Sequence, residues 1–503
     1  MAVVWFLFLF LLLILPFLSF SHLQKTIKTR KIHSPPGPPG LPFIGNLNQF
    51  DSLKPHLFLR NLSKKYGPLM SLRLGARKVL VISSEKTAKE ALKSKDLVFS
   101  NRPPLVSLRK YSYNGRDVAF SPYGEYWREM KKVTVLHLLS PKRVQSFRPI
   151  LEDEVSILMD DISNLSQSSQ AINLSSMLLS FMSSFVCRIA FGKKFVKEDH
   201  VQKRRFEQIL HECQALLAGF FVSDYLPFLS WMDKLSGMFE RLEKNAKELD
   251  LFYQELIDEH LNPNRPDAMK DDILDLLIHF KEEQSSSIDF SWDHIKAMLM
   301  NIFVAGTDTS SALVTWAMTL LMQNPSVLRR AQTEIRNLVE KKGIMTEEVL
   351  EDLPYLDAIL KEAFRLYPPS PLLVPRETTQ NCTVEGYDIE ANTMVFINAW
   401  AIARDPETWK NPETFAPERF LNSSVDVRGN DFQLIPFGAG RRGCPGIPLA
   451  LSTVKVLLAN LLYTFDWELP FGMKIEDIDT DMLPGITMHK KSPLCLVAKK
   501  YAY

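Results

Sequence analysis

Between about His294 and Gln323 the chain runs without a proline, HIKAMLMNIFVAGTDTSSALVTWAMTLLMQ, and stops at Asn324-Pro325. At ~1.5 Å per residue this predicts a helix of roughly 45 Å. Apolar residues cover most of its circumference, so it must pass through an interior and the rest of the fold must wrap around it. Its middle is different. Gly306, Thr307, Asp308, Thr309 and Ser310 are poor helix formers, and Thr309 can return its hydroxyl to the carbonyl of Ala305 and loosen the ladder. Either this is a tolerated polar patch, or it is a notch that sets an acid and an alcohol beside a buried site.

A length of 503 residues would suggest about three domains. Yet no repeat, low-complexity stretch or second linker follows Pro42, so residues 43–503 read as one large domain. Its 46% hydrophobic content and 32 Phe can fill a large core. Lys+Arg 60 against Asp+Glu 58 excludes a disordered chain, a basic nucleic-acid arm and an acidic tail. Leu69 to Ser83 predicts a β-hairpin turning at Gly75, and Val384 to Asn398 repeats the pattern more weakly. Val144–Ile162, Phe206–Ala218, Leu235–His260 and Val327–Lys342 have helical periodicity. The expected class is mainly α with small β-sheets.

Residues 1–22 hold a nearly unbroken apolar run, Val3 to Phe20, long enough to cross a thin bilayer. Lys25, Lys28, Arg30 and Lys31 follow it and no cation precedes it, which places everything downstream on the cytosolic side. The expectation is a single-pass anchor in the endoplasmic reticulum membrane, with the N-x-S/T sequons at Asn61, Asn164, Asn173, Asn381 and Asn422 unused. Residues 23–42 form a basic and proline-rich hinge ending in Pro35-Pro36-Gly37-Pro38-Pro39-Gly40, a stiff spacer.

Five cysteines without a C-x-x-C pair exclude a disulfide scaffold and a zinc site. One has a distinctive setting. Phe432 to Gly446 reads FQLIPFGAGRRGCPG before an apolar helix from about Ile447 to Phe465. Gly438 to Gly443 matches G-x-G-x-x-G, with Asp466 near the place of a ribose-binding acid, but too little chain follows for a doubly wound sheet. The loop makes better sense around Cys444. A thiol at a helix start with Arg442 nearby can ionise, the glycines let backbone approach a flat ligand, and Phe437 can shield sulfur. Axial ligation of haem iron, with the arginine pairing a propionate, fits this set.

Phe437 to Gly446 resembles the haem-binding signature F-x-x-G-x-R-x-C-x-G of the cytochromes P-450. Ala305 to Ser310 resembles that family's oxygen-activation motif, Glu362-Ala363-Phe364-Arg365 its E-x-x-R motif, and Pro417-Glu418-Arg419-Phe420 the segment whose arginine joins that pair. The likeness runs from the anchor to the C-terminus and is strongest to plant microsomal members of specialised metabolism, within them the aldoxime-metabolising group. It implies haem b on Cys444 and a haem-thiolate monooxygenase in which Asp308 and Thr309 help deliver protons to bound O2. Gly438 and Phe437 would lie against the haem. Trp127, Lys131 and Arg376 stand at propionate-contact positions, although Lys131 replaces an arginine there and lacks its bidentate fork.

By position in the family, the Arg102–Phe120 loop, Asn301, Val304, Ala305, Leu372, Leu373, Ile486 and Thr487 would line a pocket for a hydrophobic small molecule such as an aldoxime, terpenoid, alkaloid or phenolic. Electrons would come from NADPH through a diflavin cytochrome P-450 reductase, with Lys131, Lys132 and Arg441 as candidate docking cations. The alternatives are a dehydratase or isomerase on the same fold and a non-catalytic haem-binding membrane protein.

Overall fold

A computed structural model describes residues 33–167, 170–193, 200–265, 271–283, 288–342 and 347–502. The anchor at 1–22 and most of the hinge lie outside the described residues. The central helix spans Trp292–Gln323 and is buried along most of its length. Ser291 and His294 form its capping box, and the backbone turns out at Asn324 before Pro325 opens the next helix, Pro325–Lys342. Helices Leu174–Phe191 and Ile447–Thr464 pack against it. A Cβ on Gly306 would stand 3.2 Å from Val186 Cγ2, so this glycine lets the first of those helices come close.

The hairpin forms as the sequence indicates: β1 (Leu69–Leu74) and β2 (Arg77–Ile82) pair antiparallel, with Gly75 at φ 59° in the turn. The expected second hairpin does not form between its two strands. β6 (Tyr387–Ile389) pairs back to β5 (Cys382–Val384), whereas β7 (Met394–Ile397) runs parallel to β2 and antiparallel to β4 (Arg376–Glu377). The reason is burial: all four residues of β7 are covered, as suits an inner strand, while β6 is partly exposed. A second sheet joins β3 (Ile172–Asn173), β9 (Cys495–Lys500) and β8 (Phe465–Glu468).

Three helices differ from their sequence bounds, and one of them, expected over Phe206–Ala218, begins earlier and spans His200–Leu217. Val144–Ile162 is divided into Pro141–Ser146 and Arg148–Ser166, because Pro149 fits only the first turn of a helix. Leu235–His260 starts late, at Met238, after Gly237 at φ 74°. Among the described residues the only parallel pairing is β2 with β7, and Asp466 holds Arg336 at 2.9 Å, so the dinucleotide look-alike has no matching sheet.

Candidate active site

The notch is a continuous helix. Thr309 Oγ1 donates to Ala305 O at 2.8 Å, as its position suggested. Asp308 is buried and its Oδ1 lies 2.5 Å from His489 Nε2. Ala305 is exposed and Thr309 only half-buried, on a helix otherwise covered at nearly every turn.

Cys444 also keeps accessible surface, although its surroundings are dense enough for burial to raise its thiol above the usual range. The Gly446 N–H and the Lys131 charge act in the opposite direction. Arg442, expected beside the sulfur, instead serves the backbone: it donates to Ser100 O at 2.7 Å and Ser121 O at 2.6 Å and stacks on Trp127 at 4.3 Å. The nearby cation is Lys131, whose Nζ reaches Gly443 O at 2.8 Å. Cys444 N donates to Phe437 O, Phe437 packs against Phe364, and Gly438 adopts φ 68° with Leu373 within van der Waals reach.

Four cations converge here. Arg102 donates to Ala119 O at 2.8 Å and to Val374 O and Pro375 O at 2.7 Å. Arg376 donates to Ala439 O at 2.8 Å. Burial and mutual repulsion push Arg102 well below its ordinary value and Arg442 to about 9; burial takes Arg376 to about 10 and Lys131 to about 8. The carboxylates acting on the three arginines are Asp96 and Asp117, and Asp96 is shared with Arg441 at 3.4 Å, so the cations outnumber the carboxylates. A ligand with two carboxylates beside the Cys444 loop would balance them, so these residues fit haem and its propionates. Trp127, the other contact position, spends its N–H on Val118 O at 3.0 Å.

Glu362 and Arg365 are fully buried and paired bidentately, at 2.7 and 2.8 Å. Arg419 Nε adds 3.0 Å to Glu362 Oε1, and Ala416 N 2.9 Å to the same oxygen. Arg365 also donates to Ala403 O and Pro412 O.

Among the pocket positions, Asn301 has another task. Its Oδ1 accepts from Val118 N and Ala119 N, and its Nδ2 donates to Asp117 Oδ2 at 2.9 Å, so it latches the 117–121 loop to the central helix. Val304 and Thr487 are buried, and Leu372, Leu373 and Ile486 half-buried. Two residues had no sequence signal of their own: Arg102, noted only as the start of a loop, and His489. Of the candidate docking cations, Lys131 is turned inward onto Gly443, which corrects that expectation; Lys132 and Arg441 reach the surface, paired with Glu129 and Asp96.

The cytochrome P450 family model matches residues 35–497. Among curated relatives, cytochrome P450 71A1 of Persea americana is 48% identical, covering 91% of each chain, and strychnine-11-hydroxylase of Strychnos nux-vomica is 48% identical over 91% of this chain and 90% of its own. The 6,7,8-trihydroxycoumarin synthase of Pastinaca sativa is 46% identical over 99% of both. A solved zebra fish cytochrome P450 with progesterone superposes with a TM-score of 0.74 at 25% identity, over 88% of this chain and 99% of its own. With the cysteine loop, the buried E-x-x-R pair and the charge-deficient pocket in place, the chain belongs to the cytochrome P450 family, as a haem-dependent monooxygenase of plant specialised-metabolism type.

Proposed function

We propose that this enzyme inserts one atom of O2 into a hydrophobic aromatic or alkaloid-like molecule of plant specialised metabolism, with electrons from NADPH delivered by a diflavin reductase. The observation that carries the reading is the excess of positive charge that Arg102, Arg376, Arg442 and Lys131 set beside an accessible Cys444. Bound there, haem supplies the activation of oxygen. The chain would supply the rest: Arg102, Arg376, Arg442 and Lys131 would hold the propionates, Cys444 would ligate the iron through its thiolate, and Asp308 with Thr309 would move protons on the central helix. The named relatives include a coumarin synthase and an alkaloid hydroxylase, which supports this substrate range over the narrower aldoxime one. Asn301 commits its amide to the loop, so the wall formed by Val304, Ala305, Leu372, Leu373 and Ile486 selects by shape and apolar area.

The reductase would meet the face that carries Lys132 and Arg441. The catalytic domain would sit on the cytosolic side of the endoplasmic reticulum membrane, held by residues 1–22. In the test, microsomes containing the enzyme and a reductase are screened with coumarins, alkaloids, terpenoids, phenolics and aldoximes under 18O2. Uptake of one labelled oxygen with NADPH dependence is expected, and product formed without label or NADPH would establish a dehydratase or isomerase instead. The reduced CO difference spectrum of wild type should show the red-shifted thiolate band; its survival in Cys444→Ala would refute the axial assignment.

A further inference from the structure

The acid of the central helix has a partner from the far end of the chain. His489 Nε2 meets Asp308 Oδ1 at 2.5 Å, and the turn that carries the ring is fixed on both sides. Leu483 N donates to His489 O at 2.9 Å, Trp316 Nε1 to Met488 O at 2.8 Å and Met488 N to Pro369 O at 2.8 Å. The backbone that presents the ring to Asp308 is therefore held by three hydrogen bonds. Asp308 is buried, whereas the His489 side chain keeps 32% exposure. Nε2 is occupied by the carboxylate, and Nδ1 has no protein partner among the described residues.

The neighbouring charges do not compete. Lys490 is paired with Asp479 at 2.9 Å and Ser492 O. Cys213, on helix His200–Leu217, is the other titratable group that senses Asp308; burial pushes its thiol up, so it stays neutral. Thr309 and Ser311 direct their hydroxyls to helix carbonyls.

We propose that His489 is a positioning residue that holds the Asp308 carboxylate in place and reloads it with protons from solvent. It rests on the reading of Asp308 as the proton carrier. In each cycle the imidazolium passes one proton from Nε2 to Asp308 Oδ1; the neutral ring keeps its Nδ1–H, and solvent returns a proton to Nε2 while the Asp308 carboxyl is turned away to give up its own, so only N–H and O–H bonds change and no electrons move. Burial lowers the affinity of His489 for its proton, but the charge and hydrogen bond of Asp308 outweigh burial and raise it above the ordinary value of 6.5. The donor form is thus present at neutral pH and disappears as pH rises through that raised value, so turnover should fall on the alkaline side.

The experiment uses the full-length enzyme with reductase in membranes, as wild type, H489Q, H489A and D308N, each first shown to bind haem by its CO spectrum. H489A should lose at least about tenfold in product formation, less than the 10²–10⁴ attributed to a donor that touches the reacting atoms, and release more hydrogen peroxide per NADPH consumed. H489Q keeps an N–H for Asp308 but does not titrate, so it should couple better than H489A while losing the alkaline fall in rate. Independently of turnover, deuterium exchange at histidine C2, followed by mass spectrometry in the resting enzyme, should give His489 a raised pKa that drops in D308N. A slow, uncoupled D308N beside wild-type behaviour in H489A and H489Q would overturn the role of His489 alone. A D308N indistinguishable from wild type would overturn the reading of Asp308 and this one with it.

Discussion

Glu362 accepts from two arginines and a backbone N–H in a place with no solvent to replace any of them. Removing a single partner of such a buried pair costs about 3–5 kcal/mol, because the charge left behind has nowhere to go. Glu362→Ala takes from buried Arg365 its only carboxylate among the described residues, leaving it carbonyl contacts alone, and from Arg419 its own, and the segment those arginines hold, 410–419, precedes the cysteine loop. The variant should therefore fail to retain haem and melt well below wild type. Arg419→Ala should cost less, since its guanidinium is partly exposed and Glu362 keeps Arg365. The checks are haem content and thermal unfolding of purified protein; normal haem in Glu362→Ala would contradict the assignment. This pair was legible because its members are three residues apart on one helix face. Arg102 and His489 were not, because their contacts close loops of 272 and 181 residues, and no local pattern announces a partner that distant.

At the scale of elements, the sequence showed which segments are regular better than it showed their neighbours. The β1–β2 hairpin could be read from a two-residue turn, whereas the crossing of β7 to β2 depends on a strand buried on both faces, which short apolar runs do not reveal. Asn301 makes the same point. Its place on the central helix suggested the pocket wall, but the structure uses its amide as a latch on Val118, Ala119 and Asp117. Burial pushes the Asp117 carboxyl up to about 6, against the hydrogen bonds from Asn301, Phe120 and Ser121 that favour its charged form. Asn301→Ala would leave two backbone N–H groups and a carboxylate oxygen short of partners, at about 1–3 kcal/mol for each group that stays buried. The expected result is a lower melting temperature, faster amide exchange confined to residues 117–121, and a broader range of accepted substrates. Wild-type exchange in that loop would show that the latch holds nothing.

For the whole molecule, several large exposed apolar side chains gather at one end, and a lipid surface is the contact we propose for them. Phe228, Trp231 and Leu235 are 65%, 54% and 78% exposed within one short stretch. That stretch follows Tyr225, whose carbonyl accepts from Ala76 N in the β1–β2 turn, and the same turn is tied to Ile44 O through Gly75 N. Leu41 and Phe43, exposed as well, therefore lie at the same end of the molecule, where the chain leaves the proline-rich hinge. Side chains left in water at this density mark a contact surface, and its position beside the hinge favours the bilayer over a protein partner. A chain lacking residues 1–22 should still bind neutral phosphatidylcholine vesicles in high salt. Replacing Phe228, Trp231 and Leu235 together by serine should weaken that partition about a hundredfold, if each contributes about 1 kcal/mol, below the ~1.5–3 kcal/mol of complete burial because an interface covers them only in part. The CO spectrum should be unchanged, since none of the three contributes to the core. Vesicle flotation of the shortened chain with and without the substitutions measures this; failure of both forms to float would assign attachment to the N-terminal segment alone, and equal flotation of both would place the contact elsewhere on the domain.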